Sequence, residues 1–145
     1  LIDMGIEPFL VTSSVIAIIA QRLVRVLCPK CKEAYIADDE SLANLGGDRR
    51  QLEGQTLYRK RGCAACMNTG YHGRTAIFEI LVPDETIKRL ILKTSDANQI
   101  QDAAMKRGMT SLLADGARKV LDGVTTIEEV FRVTRIIRRE TDLEA

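Results

Sequence analysis

Two Cys-x-x-Cys pairs constrain this sequence more than any other feature. Cys28 and Cys31 form the first pair, Cys63 and Cys66 form the second, and residues 32–62 separate them. Two residues between cysteines let a tight turn present both thiolates to one metal ion, and two such turns complete a tetrahedral site with four sulfur ligands. Four protein ligands leave no open coordination position. The spacing therefore predicts a structural metal site, with zinc as the preferred ion.

The 31 residues between the pairs form a longer segment than most zinc ribbons contain. Closing a loop of that length costs on the order of 3 kcal/mol, whereas structural zinc binding supplies about 10–16 kcal/mol near neutral pH. The free energy of metal binding therefore exceeds the cost of closing the loop. Four cysteines also suit an iron–sulfur cluster, and a single pair suits a thioredoxin-type redox motif, so both alternatives stay open at this point.

Other sequence features limit the possible functions. The one histidine, His72, excludes a histidine cluster, and we expect this residue in a turn or at the surface. The chain has 21 basic and 20 acidic side chains, whereas a nucleic-acid binder driven by bulk electrostatics has a basic excess. Walker A, H-E-x-x-H and G-x-S-x-G motifs are absent from the sequence. We expect no catalysis by this chain alone; a stand-alone zinc-ribbon module that binds nucleic acid, and a thiol oxidoreductase, are the alternatives.

The pattern along the chain predicts an α+β fold in three regions, residues 1–27, 28–72 and 73–145. The most apolar run, residues 9–20, is 12 residues long, whereas a membrane-spanning helix needs about 20. We interpret it as a core helix that begins at Pro8 and is buried nearly all round. With no export signal in the sequence, we expect a reducing compartment, in which structural disulfides are rare.

Alternation of polar and apolar residues predicts a short strand over 21–27, and β-branched residues predict another over 74–82. A short helix is expected near 39–45 in the glycine-rich middle region. Four helices should follow residue 83, and residues 135–145 should fray. Their predicted start signals are Asp84, Ser95, Thr110 or Ser111, and a capping box formed by Thr126 and Glu129; Gly108 and Gly123 should end the second and third helices.

Several motifs occur in an order that resembles a known family. They are L-I-D-M-G-I-E-P-F-L at 1–10, A-Q-R-L-V-R at 20–25, C-P-K-C at 28–31, C-x-x-C-x-x-x-G-Y-x-G-R-T at 63–75 and E-I-L at 79–81. Together they resemble the C-terminal third of the type II secretion ATPases, general secretory pathway protein E, and of the similar type IV pilus assembly ATPases. The resemblance covers about residues 1–135 and does not separate secretion from pilus assembly.

This resemblance implies a cytoplasmic, homo-hexameric ATPase with a RecA-like fold that uses ATP and Mg²⁺ and docks on inner-membrane platform proteins, without a transmembrane segment or a nucleic-acid ligand. Residues 1–27 would end the RecA-like core, 28–72 would form the tetracysteine zinc subdomain, and 73–145 would add a core strand and a helical C-terminal subdomain.

The phosphate-binding motifs of the family would precede Leu1, so we expect this piece to be inactive by itself. Arg74 would lie near the nucleotide or a subunit boundary, with a surface ion pair as the alternative. Arg22 and Arg25 would face a neighbouring subunit or water.

Overall fold

The computed structural model describes residues 4–37, 54–94 and 96–141, and the statements below concern those residues. The predicted short helix near 39–45 lies outside them. The strands are β1 (Ile18–Leu27), β2 (Glu33–Ile36), β3 (Thr56–Arg59) and β4 (Tyr71–Leu81). The α-helices are α1 (Pro8–Ser14), α2 (Glu85–Ile91), α3 (Ala97–Lys106), α4 (Leu112–Leu121) and α5 (Ile127–Thr141). The mixture of helices and strands confirms the α+β class. None of the helices in this part of the chain is long and apolar enough to cross a bilayer.

The four strands form two small sheets. β1 pairs with β4 in one sheet, and β2 pairs with β3 in the other. The second pair is antiparallel, with Ala34 opposite Tyr58 and Tyr35 opposite Leu57. The predicted strand over 21–27 is therefore part of β1, and the strand predicted over 74–82 begins three residues earlier, at Tyr71.

The chain divides into two compact units that interleave along the sequence. Unit 1 consists of Leu1–Ala20 and Phe78–Ser111, and unit 2 consists of Gln21–Ile77 and Leu112–Ala145. The division of the sequence into 1–27, 28–72 and 73–145 stays a prediction.

Unit 1 has a core formed by α1, α2 and α3. Its buried members are Val11, Ile87, Ile91 and Ala104. Asp84 caps helix α2, as predicted, because its carboxylate accepts hydrogen bonds from the N–H groups of Thr86 and Ile87. Asp96, and not the predicted Ser95, caps helix α3. Ser95 itself lies outside the described residues.

The first helix is shorter and more exposed than predicted. It ends at Ser14, and the expected continuation through Ala20 is wrong because Ile18–Leu27 form β1. Only Val11 in this helix is buried, and Phe9 is 59% exposed, so a helix buried nearly all round is also wrong. The physical reason is the β-branched composition of residues 15–19, which favours extended backbone over helix.

Unit 2 packs α4 and α5 against the β2–β3 pair. Its buried core consists of Ala37, Leu57, Val120 and Val130. Helix α4 begins at Leu112, after the predicted start signals, and the chain turns at Gly123 with φ of 65°. Helix α5 extends to Thr141, and the expected fraying of residues 135–145 stays a prediction.

Candidate metal centre

The first cysteine pair lies in a tight turn that follows β1 directly. Cys28 is the residue after the end of the strand, and its carbonyl oxygen accepts hydrogen bonds from the N–H groups of Cys31 at 3.2 Å and Lys32 at 3.0 Å. These bonds curl the backbone around Cys28. Both sulfurs of the pair therefore lie on the inside of one turn, as the Cys-x-x-Cys spacing predicts.

The second pair lies in a similar turn that precedes β4. A short 3₁₀ helix, Ala64–Cys66, brings the N–H of Cys66 to 3.1 Å from the carbonyl oxygen of Cys63. Met67 and Asn68 then adopt left-handed backbone with φ of 51° and 59°. This reversal returns the chain to Gly70 and the start of β4, so two turns at the ends of two paired strands carry all four cysteines.

Glycine is required at Gly70 because the backbone approaches a neighbour closely. The residue has φ of 76°, and a Cβ atom there would lie 2.5 Å from the Cβ of Lys60. A side chain at this position would combine left-handed strain with a steric clash. The second cysteine turn therefore closes against the end of β3 only with glycine at position 70.

The four cysteine sulfurs converge on one point. All four Sγ atoms lie within 4.8 Å of one another, and all four cysteines are free thiols. The Sγ···Sγ distances are 3.9 Å for Cys28 and Cys63, 3.8 Å for Cys31 and Cys66, and 3.7 Å for Cys63 and Cys66. A tetrahedron with Zn–S bonds of about 2.3 Å has edges of about 3.8 Å. The three printed separations match this edge length, and all four sulfurs are close enough together to hold one metal ion.

Backbone N–H groups point at the sulfurs and alter their acidity. Burial would raise the pKa of Cys66, but the N–H groups of Cys63 and Gly70 donate to its sulfur at 3.2 and 3.3 Å and lower that pKa from 9.0 to about 6. The pKa of Cys31 is raised from 9.0 to about 11, mainly because of burial; the nearby thiols add to the rise, and the N–H of Gly62 opposes it. Because like charges repel, four thiolates this close together are stable only with a cation among them.

A second cluster of polar residues lies in unit 2, and no sequence pattern predicts it. Glu129 on α5 is 2% exposed, and its carboxylate binds the guanidinium groups of Arg25 and Arg132. Burial would raise the pKa of Glu129, but these hydrogen bonds outweigh it and lower the pKa from 4.5 to about 2. The Arg25 guanidinium also lies 4.2 Å from the centre of the Tyr71 ring, and burial raises the pKa of Tyr71.

This cluster corrects the sequence interpretation of Glu129 and adds a partner for Arg25. Thr126 does accept a hydrogen bond from the N–H of Glu129 at 3.4 Å, which is half of the predicted capping box. The Glu129 carboxylate, which the box would direct to the start of the helix, binds the arginines instead. The Arg25 side chain is 45% exposed, which agrees with the predicted position facing water, and it also forms an ion pair with Glu129.

Comparison with known proteins agrees with these features. The family model described as "Type II/IV secretion system protein" matches residues 1–132. This chain belongs to that family. It is 52% identical over 135 residues to type II secretion system protein E of Pseudomonas aeruginosa, covering 93% of this chain and 26% of that protein.

Other relatives in the secretion family give the same result. The chain is 44% identical over 133 residues to the type II secretion system ATPase E of Vibrio cholerae, covering 92% of this chain and 26% of that protein. It is 42% identical over 132 residues to the type IV pilus assembly ATPase PilB of Thermus thermophilus, covering 91% of this chain and 15% of that protein. The resemblance predicted from the motifs is thus confirmed, and the chain spans about a quarter or less of the length of these relatives.

The other residues singled out in the sequence of this secretion-family chain are not part of the cysteine cluster. Arg74 and His72 are both exposed on β4, which confirms the surface position expected for His72. Arg22 is exposed on β1 and donates a hydrogen bond to the backbone carbonyl of Gln21 at 2.9 Å. A role for Arg74 near a nucleotide stays a prediction.

Proposed function

We propose that this chain is the zinc-stabilised C-terminal part of a hexameric ATPase that powers type II protein secretion by driving pseudopilus assembly. The observation that carries the proposal is the convergence of four cysteine sulfurs within 4.8 Å of one another in a member of the type II/IV secretion family. Relatives named as secretion and pilus ATPases support the ATPase part of the proposal.

Cys28, Cys31, Cys63 and Cys66 would hold the zinc ion. Bound zinc would supply structural cross-linking and no reaction chemistry, because four protein ligands fill its coordination shell. The chain's own residues support this role: the two turns hold the sulfurs, and backbone N–H groups from Gly62, Cys63 and Gly70 stabilise thiolate charge. We assign no catalytic residue to this chain.

Exposed apolar side chains support the proposal that unit 1 packs against the remainder of a RecA-like core. Ile16 is 86% exposed and Val82 is 66% exposed. Other large apolar residues in unit 1 are also exposed, namely Phe9, Leu10, Ile18, Ile19, Phe78 and Ile80. Exposed apolar surface of this kind marks an interaction site. In the whole protein, a longer polypeptide of the same chain would cover it.

The whole protein would bind ATP and Mg²⁺, form a homo-hexamer, and lie in the cytoplasm at the inner membrane through platform proteins. Arg74 would lie near the nucleotide, and its exposure on β4 leaves it accessible to one. An Arg74→Ala change in the whole protein should raise the KM for ATP. Lys30→Ala, an exposed cation in the first cysteine turn, should leave that KM unchanged.

Elemental analysis of the purified chain tests the metal assignment. We expect one zinc per chain, loss of zinc in Cys63→Ser, and retention of zinc in Met67→Ser, which changes an exposed side chain of the same turn. Stoichiometric iron with a visible absorption band would instead assign an iron–sulfur cluster, and a chain that binds no metal would contradict the site. ATP turnover by the purified chain would contradict the proposal that this chain is inactive by itself.

A further inference from the structure

The turn that joins α4 to α5, residues 122–126, contacts residues that flank both cysteine pairs. We call it the α4–α5 turn. The N–H of Leu27, the residue before Cys28, donates to the carbonyl oxygen of Val124 at 2.8 Å. From the other end of the same cysteine turn, Lys32 Nζ donates to the carbonyl oxygen of Gly123 at 2.9 Å. The residues on both sides of the first Cys-x-x-Cys pair therefore bind the α4–α5 turn.

The second cysteine turn reaches the same segment through Tyr71. Gly70 donates its N–H to Cys66 Sγ at 3.3 Å, and its carbonyl oxygen accepts from the N–H of Cys28 at 3.0 Å. The next residue, Tyr71, has its hydroxyl 3.0 Å from Thr126 Oγ1. Both side chains are buried, so neither hydroxyl can exchange this partner for bulk water without opening the structure.

Thr126 is also the residue that begins α5. Its hydroxyl accepts a hydrogen bond from the N–H of Glu129 in the first turn of the helix. One side chain therefore takes part in two hydrogen bonds, one to the start of α5 and one to the residue that follows the second cysteine turn. Through Thr126, the residue that follows the second cysteine turn is therefore hydrogen-bonded to the first turn of α5.

From these contacts we infer that the metal centre and the N-terminal turn of α5 form one cooperative unit, with Lys32 and Tyr71 as the positioning residues that couple them. The inference rests on the proposed metal site and adds a role for it. Metal binding fixes the two cysteine turns, and these turns fix the α4–α5 turn. Because coupling between two equilibria is reciprocal, loosening the α4–α5 turn must also weaken metal retention.

Hydrogen exchange of the zinc-loaded chain tests the coupling without reference to ATPase activity. Exchange should accelerate by about tenfold or more over 122–134 when a chelator removes zinc, since local opening governs exchange. Segment 87–106 in unit 1 is the internal reference and should keep its exchange rate. Unchanged exchange over 122–134 after complete zinc removal would overturn the inference.

Two variants test the coupling while zinc stays bound, so that unfolding caused by metal loss does not interfere. Tyr71→Phe removes one hydroxyl, and Lys32→Met removes the ammonium but keeps an apolar stem. Each should still bind one zinc, exchange faster over 122–134, and release zinc to a chromogenic chelator several-fold faster. The matched controls are Tyr58→Phe, which keeps the ring beside Gly123, and Lys30→Met in the same cysteine turn; neither should change either rate.

The outcomes distinguish the two proposals. A wild-type chain that binds no metal would overturn the metal site and the coupling together. Normal zinc binding, with both variants exchanging and releasing zinc as the wild type does, would overturn the coupling alone. Should one variant fail to fold, the other decides, because Lys32 and Tyr71 reach the α4–α5 turn from different cysteine turns.

Discussion

The carboxylate of Glu129 binds Arg25 twice, although 104 positions separate the two residues. One oxygen accepts the backbone N–H of Arg25 at 3.1 Å, and the other accepts its guanidinium. Arg132 on the same helix binds both carboxylate oxygens at 3.0 Å. A buried charge is tolerated when it is paired and hydrogen-bonded in this way. The pair therefore joins β1 to α5, and the loss of either partner should destabilise unit 2.

Glu129→Gln should lower the free energy of unfolding by about 2 kcal/mol. The amide keeps the shape of the side chain but removes the charge that pairs with two half-exposed guanidinium groups. Urea unfolding of the zinc-loaded chain measures the loss. Glu128→Gln is the matched control, because Glu128 is the exposed neighbour on the same helix, and it should change stability by less than about 0.5 kcal/mol. Equal losses in the two variants would contradict the role of the ion pair.

The contribution of Glu129 should disappear in acid. Its pKa falls from 4.5 to about 2 in the folded chain, so folding favours the ionised form. A carboxyl group with a lowered folded pKa stabilises fully above its unfolded pKa and loses that effect as pH falls through the folded value. The stability difference between wild type and Glu129→Gln should therefore be constant above about pH 5 and shrink progressively below pH 4.5. Acid also releases metal from both proteins, so the measurement is this difference. A difference independent of pH would contradict it.

Local sequence patterns predicted the parts of the structure that depend on near neighbours. The Cys-x-x-Cys spacing predicts each cysteine turn because both ligands of a pair lie within one turn. Asp84 predicts the start of α2 because an N-cap contacts N–H groups two and three residues later. The convergence of Cys28 with Cys63 followed only from metal chemistry, since no local rule brings residues 35 positions apart together.

The features that sequence patterns did not predict depend on residues far apart in the sequence. An apolar run such as residues 9–20 fits a helix or a buried strand equally well, and here pairing between β1 and β4 decides. The Glu129–Arg25 pair was missed because Glu129 already had a local explanation as the second residue of a capping box. A charged residue with a plausible local partner gives no signal of a distant one. The Tyr71–Thr126 contact was missed for the same reason.

Asp84 should separate the effect of helix capping from that of an ion pair. Its Oδ1 accepts the N–H groups of Thr86 and Ile87 at 3.0 Å, and its other oxygen pairs with Arg107. Asp84→Ala removes both and should clearly weaken the first turn of α2. Asp84→Asn keeps the cap and should cost less, since the ion pair is partly exposed. Hydrogen exchange of the α2 amides is the measurement. Equal effects of the two substitutions would show that the cap contributes nothing.

Gly123→Ala should destabilise unit 2 through a steric clash as well as backbone strain. Gly123 has φ of 65°, and an added Cβ would lie 2.6 Å from Cδ2 of the Tyr58 ring. Gly73 is the control, because its φ is 81° and nothing lies within 4 Å of an added Cβ. Gly73→Ala should cost only the strain of left-handed backbone, on the order of 1 kcal/mol. Thermal unfolding should show a clearly larger loss for Gly123→Ala, and similar losses would contradict the clash.

Gly116 allows α4 and α5 to pack closely, and a double-mutant cycle tests this contact. A Cβ atom at Gly116 would lie 2.5 Å from Cγ1 and 3.0 Å from Cγ2 of Val130, a β-branched side chain with little freedom to move. Alanine is favoured over glycine within a helix by about 1 kcal/mol, whereas overpacking a core costs about 1–3 kcal/mol. We therefore expect Gly116→Ala to destabilise the wild-type chain but to stabilise the Val130→Ala variant, with a coupling energy of about 1–3 kcal/mol in urea unfolding. The same glycine substitution combined with Val24→Ala, a buried valine in β1, should be additive within about 0.5 kcal/mol. Additivity with Val130→Ala would mean that the two helices can separate at no cost, and that Gly116 does not set their distance.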